Sequence, residues 1–290
     1  MIKVTSNISS DHTDLVEGFI YESFPSPWAI TVNHLTGDGV LIGYFSDLED
    51  RRINLTKIEE SLGYAVPLKF TYDNIADQDW KNAYKHHFKP WSYKKFHLVP
   101  LWLKQKHIAP IGEPCLYLDP GMAFGTGNHE STRLCMEFLL DENFTNKGFE
   151  SLIDLGCGSG ILALTSYLIG FKQIIGLDND EDAIRISQEN ASLNSIDDNV
   201  RFKVLSLENM EPLLGTFDCV VANIQADILI KHANKIVGLC NNHSTIILSG
   251  ILCQEANSVI ESFKRKLKLK NLKITKKTMG EWASIKLYNS

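Results

Sequence analysis

Apolar positions along the 290 residues fall into two regimes that change over near residue 100. In the first, Ile2–Val4 is a short strand, and Leu15, Val16, Phe19 and Ile20 share one face of a helix predicted over Asp11–Ser23, opened by Ser9 or Ser10. Trp28–Val32 and Val40–Phe45 then make a hairpin around Gly37-Asp38-Gly39, Leu55–Leu62 a second helix, and Val66–Tyr72 a last strand. This β-α-β-β-α-β order is that of a small α+β, ferredoxin-like domain, here placed over residues 1–75. Nothing in it carries obvious chemistry, and fold alone does not supply a function.

In the second regime, from Leu116 onward, strands alternate with helices, which predicts a mostly parallel, doubly wound (Rossmann-like) α/β sheet over residues 111–290. The seven strands expected are Leu152–Leu155, Gln173–Asp178, Val200–Leu205, Phe217–Ala222, Thr245–Ser249, Leu272–Thr275 and Ala283–Leu287, the last two with no helix between them. Residues 76–110 are expected to be a linker with one short helix, in which Trp80, Tyr84 and Phe88, four apart, seal one face while the lysines meet water. Rings interleaved with cations also suit nucleic acid, but packing explains this spacing better. His86 and His87 have no partner at metal spacing and are expected to be solvated.

Composition narrows the class. A 44% apolar and 22% charged chain is that of a globular protein, and a net charge of -6 argues against general polyanion binding. The six cysteines show neither C-x-x-C spacing nor clustering with histidine, so no metal and no disulfide framework is expected. With no apolar leader and no long apolar run, the expectation is a cytoplasmic protein that makes no membrane contact and works as a monomer. The basic run from Lys264 to Lys270, with Lys273, Lys276 and Lys277, reads as a solvated helix end and a sheet edge protected from pairing; an RNA-facing surface is the lesser reading.

Two glycine loops hold the candidate chemistry. Leu152-Ile153-Asp154-Leu155 runs into Gly156-Cys157-Gly158-Ser159-Gly160, and Ile161–Ile169 is patterned as a helix, giving strand, tight turn, helix. Open α/β sheets bind ligands at that end of a strand. A dinucleotide loop wants G-x-G-x-x-G, yet here the third glycine comes one residue early and Ile161 fills the expected place. G-x-G-x-G after Asp154 resembles motif I of the S-adenosylmethionine-dependent methyltransferases. Asp178, 22 residues beyond Gly156, ends the next strand, where a carboxylate can accept both ribose hydroxyls.

The other loop makes the resemblance specific. The run from Leu118 to Thr132, L-D-P-G-M-A-F-G-T-G-N-H-E-S-T, is similar to the hallmark L-D-P-G-x-A-F-G-T-G-x-H-x-T-T of the PrmA family, the methyltransferases of ribosomal protein L11. The likeness continues through Asp154–Ala163, Gly176–Asp178, Asn223-Ile224 and Leu248–Leu252, and covers nearly the whole chain, more weakly before residue 75. It implies S-adenosylmethionine as cofactor, lysine side-chain and N-terminal amines of L11 as substrate with no direct nucleic-acid substrate, an N-terminal domain that recognises L11, and a catalytic sheet with one antiparallel edge strand. It places cofactor contacts on Thr132, Gly156, Gly158, Asp178 and Asn223, with Phe124, Thr126 and Gly127 lining the methionine side. Glu208, after the third strand, falls where this fold contacts the adenine, and His129 is a family position open to two roles, fixing its loop by hydrogen bonds or acting in catalysis.

Asn223 is the catalytic candidate. It stands where amine and amide methyltransferases place N-P-P-Y, but the run here is Asn223-Ile224-Gln225-Ala226, which favours an alkyl amine over a planar amide or base. Its carbonyl would accept N–H bonds from the amine and aim the lone pair at the methyl; alternatively it caps the helix beginning near Ala226. Gln225 departs from the usually apolar residue of the family pattern. Alignment of this kind contributes roughly 7–11 kcal/mol, and desolvation would favour the neutral amine. Methylation of another protein or a small amine, or a non-catalytic cofactor-binding module of ribosome assembly, are the competing functions, with a nicotinamide oxidoreductase behind them.

Overall fold

The computed structural model describes residues 2–22, 26–33, 36–45, 47–74, 89–119, 127, 129–141, 148–196, 199–210, 215–267 and 272–289. The chain divides into two compact units, residues 1–87 and 88–290.

The first unit carries β1 (Ile2–Ile8), α1 (Thr13–Glu22), β2 (Trp28–Val32), β3 (Gly39–Phe45), α2 (Leu48–Leu62) and β4 (Thr71–Asn74). All its pairs are antiparallel, in the order β2-β3-β1-β4. Val4, Leu41 and Phe45 are buried on one face of this sheet with Val16 and Ile58 of the helices. Two boundaries differ from expectation. Helix α2 starts seven residues before Leu55, because the Asp47 carboxylate accepts the Glu49 and Asp50 N–H groups, both at 2.9 Å, and caps a polar first turn that apolar spacing cannot reveal. The last strand starts at Thr71 rather than Val66: Pro67 has no N–H, and Lys69 gives its own to the Ser6 hydroxyl at 3.1 Å instead of to a ladder partner.

The second unit opens with β5 (Trp91–Tyr93), β6 (Phe96–Pro100) and β7 (Cys115–Leu118), a three-stranded sheet with β5 and β6 antiparallel and β6 and β7 parallel. The stretch expected to be a linker therefore contributes to this unit's core: Phe96, Leu98 and Val99 are buried. The expected helix with Trp80, Tyr84, His86, His87 and Phe88 lies outside the described residues.

The main sheet has seven strands: β8 (Ser151–Leu155), β9 (Gln173–Asp178), β10 (Val200–Val204), β11 (Phe217–Asn223), β12 (Cys240–Leu252), β13 (Leu272–Met279) and β14 (Trp282–Asn289). They stand in the order β10-β9-β8-β11-β12-β14-β13. The first five in that order are parallel, and β14 runs antiparallel to both neighbours. The antiparallel strand is thus one place inside the edge, a correction to the edge position expected. Burial explains it: Ala283, Ser284, Ile285 and Leu287 are all at most 1% exposed, so β14 needs cover on both faces. The lysine-rich β13 takes the edge, as its alternation predicts.

Alternate residues of the central strands feed two cores. Leu152, Cys219, Val221 and Ile247 pack on one face with α3 (Glu130–Leu139), α4 (Ile161–Leu168) and α5 (Glu181–Leu193). Ile153, Val220, Ala222, Ile246 and Leu248 pack on the other with α6 (Ala226–Lys231), α7 (Ala233–Gly238) and α8 (Ala256–Leu267). Strand order reverses between β8 and β11, so their carboxyl ends frame a crevice at the switch point, where such sheets take ligands.

Candidate active site at the switch point

A cavity of about 470 Å³ opens there, lined by Gly156 after β8, Asp178 at the end of β9, Leu205–Glu208 after β10, Asn223–Gln225 at the end of β11, Gly250 in β12, and His129 with Trp282. Its size suits a ligand as large as a nucleoside with an amino-acid arm.

The Gly156 loop is held from the backbone. Gly156 and Cys157 both donate N–H to the Leu177 carbonyl, at 2.8 and 2.9 Å, and Gly158 donates to Asp178 Oδ2 at 2.9 Å. Asp178 Oδ1 accepts the Asp180 N–H at 3.1 Å, which fixes the carboxylate as helix α5 begins. Gly156 has φ +73°, and a Cβ there would lie 2.5 Å from Ile224 Cγ2, so a side chain would strain the backbone and crowd the β11 loop. Beneath this loop Asp154 is fully buried; Oδ2 accepts the Ala163 N–H at 3.1 Å and Oδ1 has no partner. Burial pushes its carboxyl up to about 7, against the Ala163 hydrogen bond and with a further push from the Asp178 charge.

Asn223 is 9% exposed, and its Nδ2 donates to Thr132 Oγ1 at 3.1 Å. Its Oδ1 is buried without a hydrogen-bond partner while the residue lines the cavity. An orphaned amide oxygen is costly unless something else satisfies it. The capping alternative fails, since α6 begins after Gln225 with no side-chain cap. Gln225 is exposed at the cavity wall.

Of the residues expected to touch cofactor, Gly156, Asp178 and Asn223 line the cavity. Thr132 and Gly158 stand behind it: Thr132 is fully buried and orients Asn223, and Gly158 orients Asp178. Gly127 is also absent from the wall, and its carbonyl accepts a bond from Arg133 Nε at 3.3 Å. Phe124 and Thr126 lie outside the described residues. Glu208 reaches the wall, but its Oε1 is bound by Lys231 Nζ at 2.8 Å and His232 Nε2 at 3.2 Å, and the Lys231 bond holds its carboxyl below the ordinary range. His129 caps α3 through Nδ1, 2.7 Å from Ser131 Oγ, and meets the Trp282 ring edge-on at 4.6 Å. Trp282 had no sequence signal beyond an aromatic at the start of a strand, whereas Gly250 falls within the Leu248–Leu252 stretch of family likeness.

The residues fit S-adenosylmethionine: a carboxylate at the β9 end for ribose hydroxyls, a loop a Cβ would obstruct, and an unpaired amide oxygen further along the wall. Among the described residues no group of three or more His, Cys, Asp or Glu could hold a metal, and no helix is long and apolar enough to cross a membrane. The family described as "Ribosomal protein L11 methyltransferase (PrmA)" matches residues 19–289. The chain belongs to this family. A Helicobacter pylori relative named "Ribosomal protein L11 methyltransferase" is 36% identical over 214 residues, which are 74% of this chain and 61% of that protein. One of the same name from Alkaliphilus metalliredigens is 34% identical over 258 residues, 86% of this chain and 78% of that protein. Among solved structures, the ribosomal protein L11 methylase of Lactobacillus delbrueckii subsp. bulgaricus superposes with a TM-score of 0.60 at 27% identity, covering 70% of this chain and 100% of its own. Matches to several PrmA relatives thus span less than two thirds of the relative's length.

Proposed function

We propose that this PrmA-family chain is an S-adenosylmethionine-dependent protein N-methyltransferase that modifies lysine side-chain and N-terminal amines of ribosomal protein L11, with residues 1–75 recognising the substrate. The observation that carries the proposal is the unpaired Oδ1 of Asn223 at the cavity wall, in an amide whose Nδ2 donates to Thr132 Oγ1. Bound S-adenosylmethionine supplies a methyl group on a sulfonium, an electrophile that needs only an aligned neutral amine. Asp178 would take the ribose hydroxyls and the Gly156 loop the nucleoside and amino-acid portion. Asn223 Oδ1 would accept an N–H of the incoming amine, holding its lone pair toward the methyl, while the apolar walls from Ile224 and Trp282 exclude water and favour the uncharged amine. The names of the relatives support L11 as substrate, and the absence of Pro-Pro-Tyr after Asn223 supports an alkyl amine. Mass spectrometry of L11 after incubation with the protein and S-adenosylmethionine should show added methyl groups on lysine or N-terminal amines. Unchanged L11, with labelled methyl only in RNA, would refute the substrate.

A further inference from the structure

Asn190 of helix α5 stands on the helix's buried face, in register with Ala183, Ile186 and Ser187; it is 1% exposed and makes bonds to parts of the chain distant in sequence. Its Oδ1 accepts the Asp119 N–H at 2.9 Å, and its Nδ2 donates to the Ser159 carbonyl at 3.0 Å. Asp119 is the residue from which the chain enters the first glycine loop; Ser159 lies within the second. One side chain therefore ties the entrance of one loop to the body of the other. Asn194, one turn later, plays a different part. Its amide accepts the Tyr117 N–H at 2.8 Å and donates to the Tyr117 carbonyl at 2.6 Å, as a neighbouring strand would, and it makes no hydrogen bond to the Gly156–Gly160 loop.

The second loop is already fixed to β9 through Leu177 and Asp178. The described part of the first loop's approach, residues 115–119, meets that frame through the buried side chains of Leu116 and Leu118 and, among its polar groups, through these two asparagines. We propose that Asn190 is a positioning residue that couples Asp119 to the Gly156–Gly160 loop, so that cofactor occupancy at Gly156–Gly160 is transmitted to Asp119. This rests on the cofactor assignment made above.

The test has two parts. In the wild-type protein, hydrogen exchange is followed with and without S-adenosylhomocysteine. The Asp119 amide, which lines no part of the cavity, should gain protection together with residues 156–160, and protection confined to 156–160 would overturn the proposal. Calorimetry then compares Asn190→Asp, which keeps an acceptor for Asp119 but sets a second oxygen against the Ser159 carbonyl, with Asn194→Ala. Asn190→Asp should bind S-adenosylhomocysteine about tenfold more weakly, whereas Asn194→Ala should lose melting temperature with near-wild-type affinity. Equal affinity of Asn190→Asp and wild type, or losses that follow melting temperature in both variants, would make Asn190 merely structural. Failure of the wild type itself to bind would instead remove the cofactor assignment and the inference with it.

Discussion

The two ends of the seven-stranded sheet treat their polar groups in opposite ways. At the amino end, Asp218 Oδ2 accepts the N–H groups of Glu150 and Ser151, both at 3.0 Å, and the Ser151 hydroxyl at 2.9 Å, while Oδ1 accepts from Asn241 Nδ2 at 2.9 Å. One carboxylate thereby joins β8, β11 and β12. At the carboxyl end of two of those strands, Asn223 holds one amide bond and leaves its oxygen unpaired beside a cavity, and the β8 turn is glycine where a Cβ would fill space. A saturated network is what a structural joint needs. An incomplete one, held rigidly from behind by Thr132, is what a ligand completes.

The largest effect expected is on Asn223→Ala, which should lower kcat for the proposed L11 methylation by about 10²–10³-fold, since it removes the proposed acceptor for the amine. Its melting temperature should fall only modestly, because the oxygen lost was already unsatisfied and the one bond lost, from Nδ2 to Thr132 Oγ1, contributes about 1 kcal/mol; a large melting loss with activity retained would reverse the roles of the two ends. Asp218→Ala should do the opposite, costing about 2–4 kcal/mol of stability through its stranded N–H partners, with cofactor affinity unchanged in calorimetry. Burial works to raise the Asp218 carboxyl, but the Glu150 and Ser151 N–H bonds outweigh it and hold it below the ordinary value. Its contribution is therefore present above the unfolded-state value and lost as pH falls through the lower folded one, so the stability gap between wild type and Asp218→Ala should close in acid. An opposite dependence belongs to Asp154. Its folded carboxyl, pushed up to about 7, binds a proton the unfolded chain has released, so stability falls as pH rises between roughly 4 and 7. Asp154→Asn should flatten that slope and melt about 2–4 °C higher than wild type at pH 8 in the absence of ligand; an unchanged slope between pH 4 and 7 would show that Asp154 does not titrate there.

Much of the carboxyl end was legible in the sequence, and less of what supports it. Gly156 and Asp178 announce themselves because each sits where a strand pattern stops, and open sheets take ligands at strand ends, whereas Asn223 and Thr132 come from the family likeness. Thr132 is legible as a site position but its contact is not, since helix position does not say whether a hydroxyl faces a ligand or another side chain. Asn190, on the buried face of α5, and Asn194, at its C-cap, do not reveal what they hold, because position on a helix does not say which backbone a side-chain amide meets across it. The sheet of β5, β6 and β7 is hidden for a related reason: the β5–β6 turn passes through Lys94 at φ +52°, with no glycine to mark it. Strand β12 extends well before Thr245 because Asn241 and Ser244, polar residues that suggest a loop, are consumed by Asp218 and the Phe217 carbonyl.

The contrast between the two ends is tested most directly by one calorimetric titration of S-adenosylhomocysteine into wild type, Asp178→Asn and Asp218→Ala. Asp178→Asn should weaken binding by about tenfold or more while Asp218→Ala binds as wild type does. Equal losses in the two variants, or a loss confined to Asp218→Ala, would contradict a ligand site at the carboxyl end.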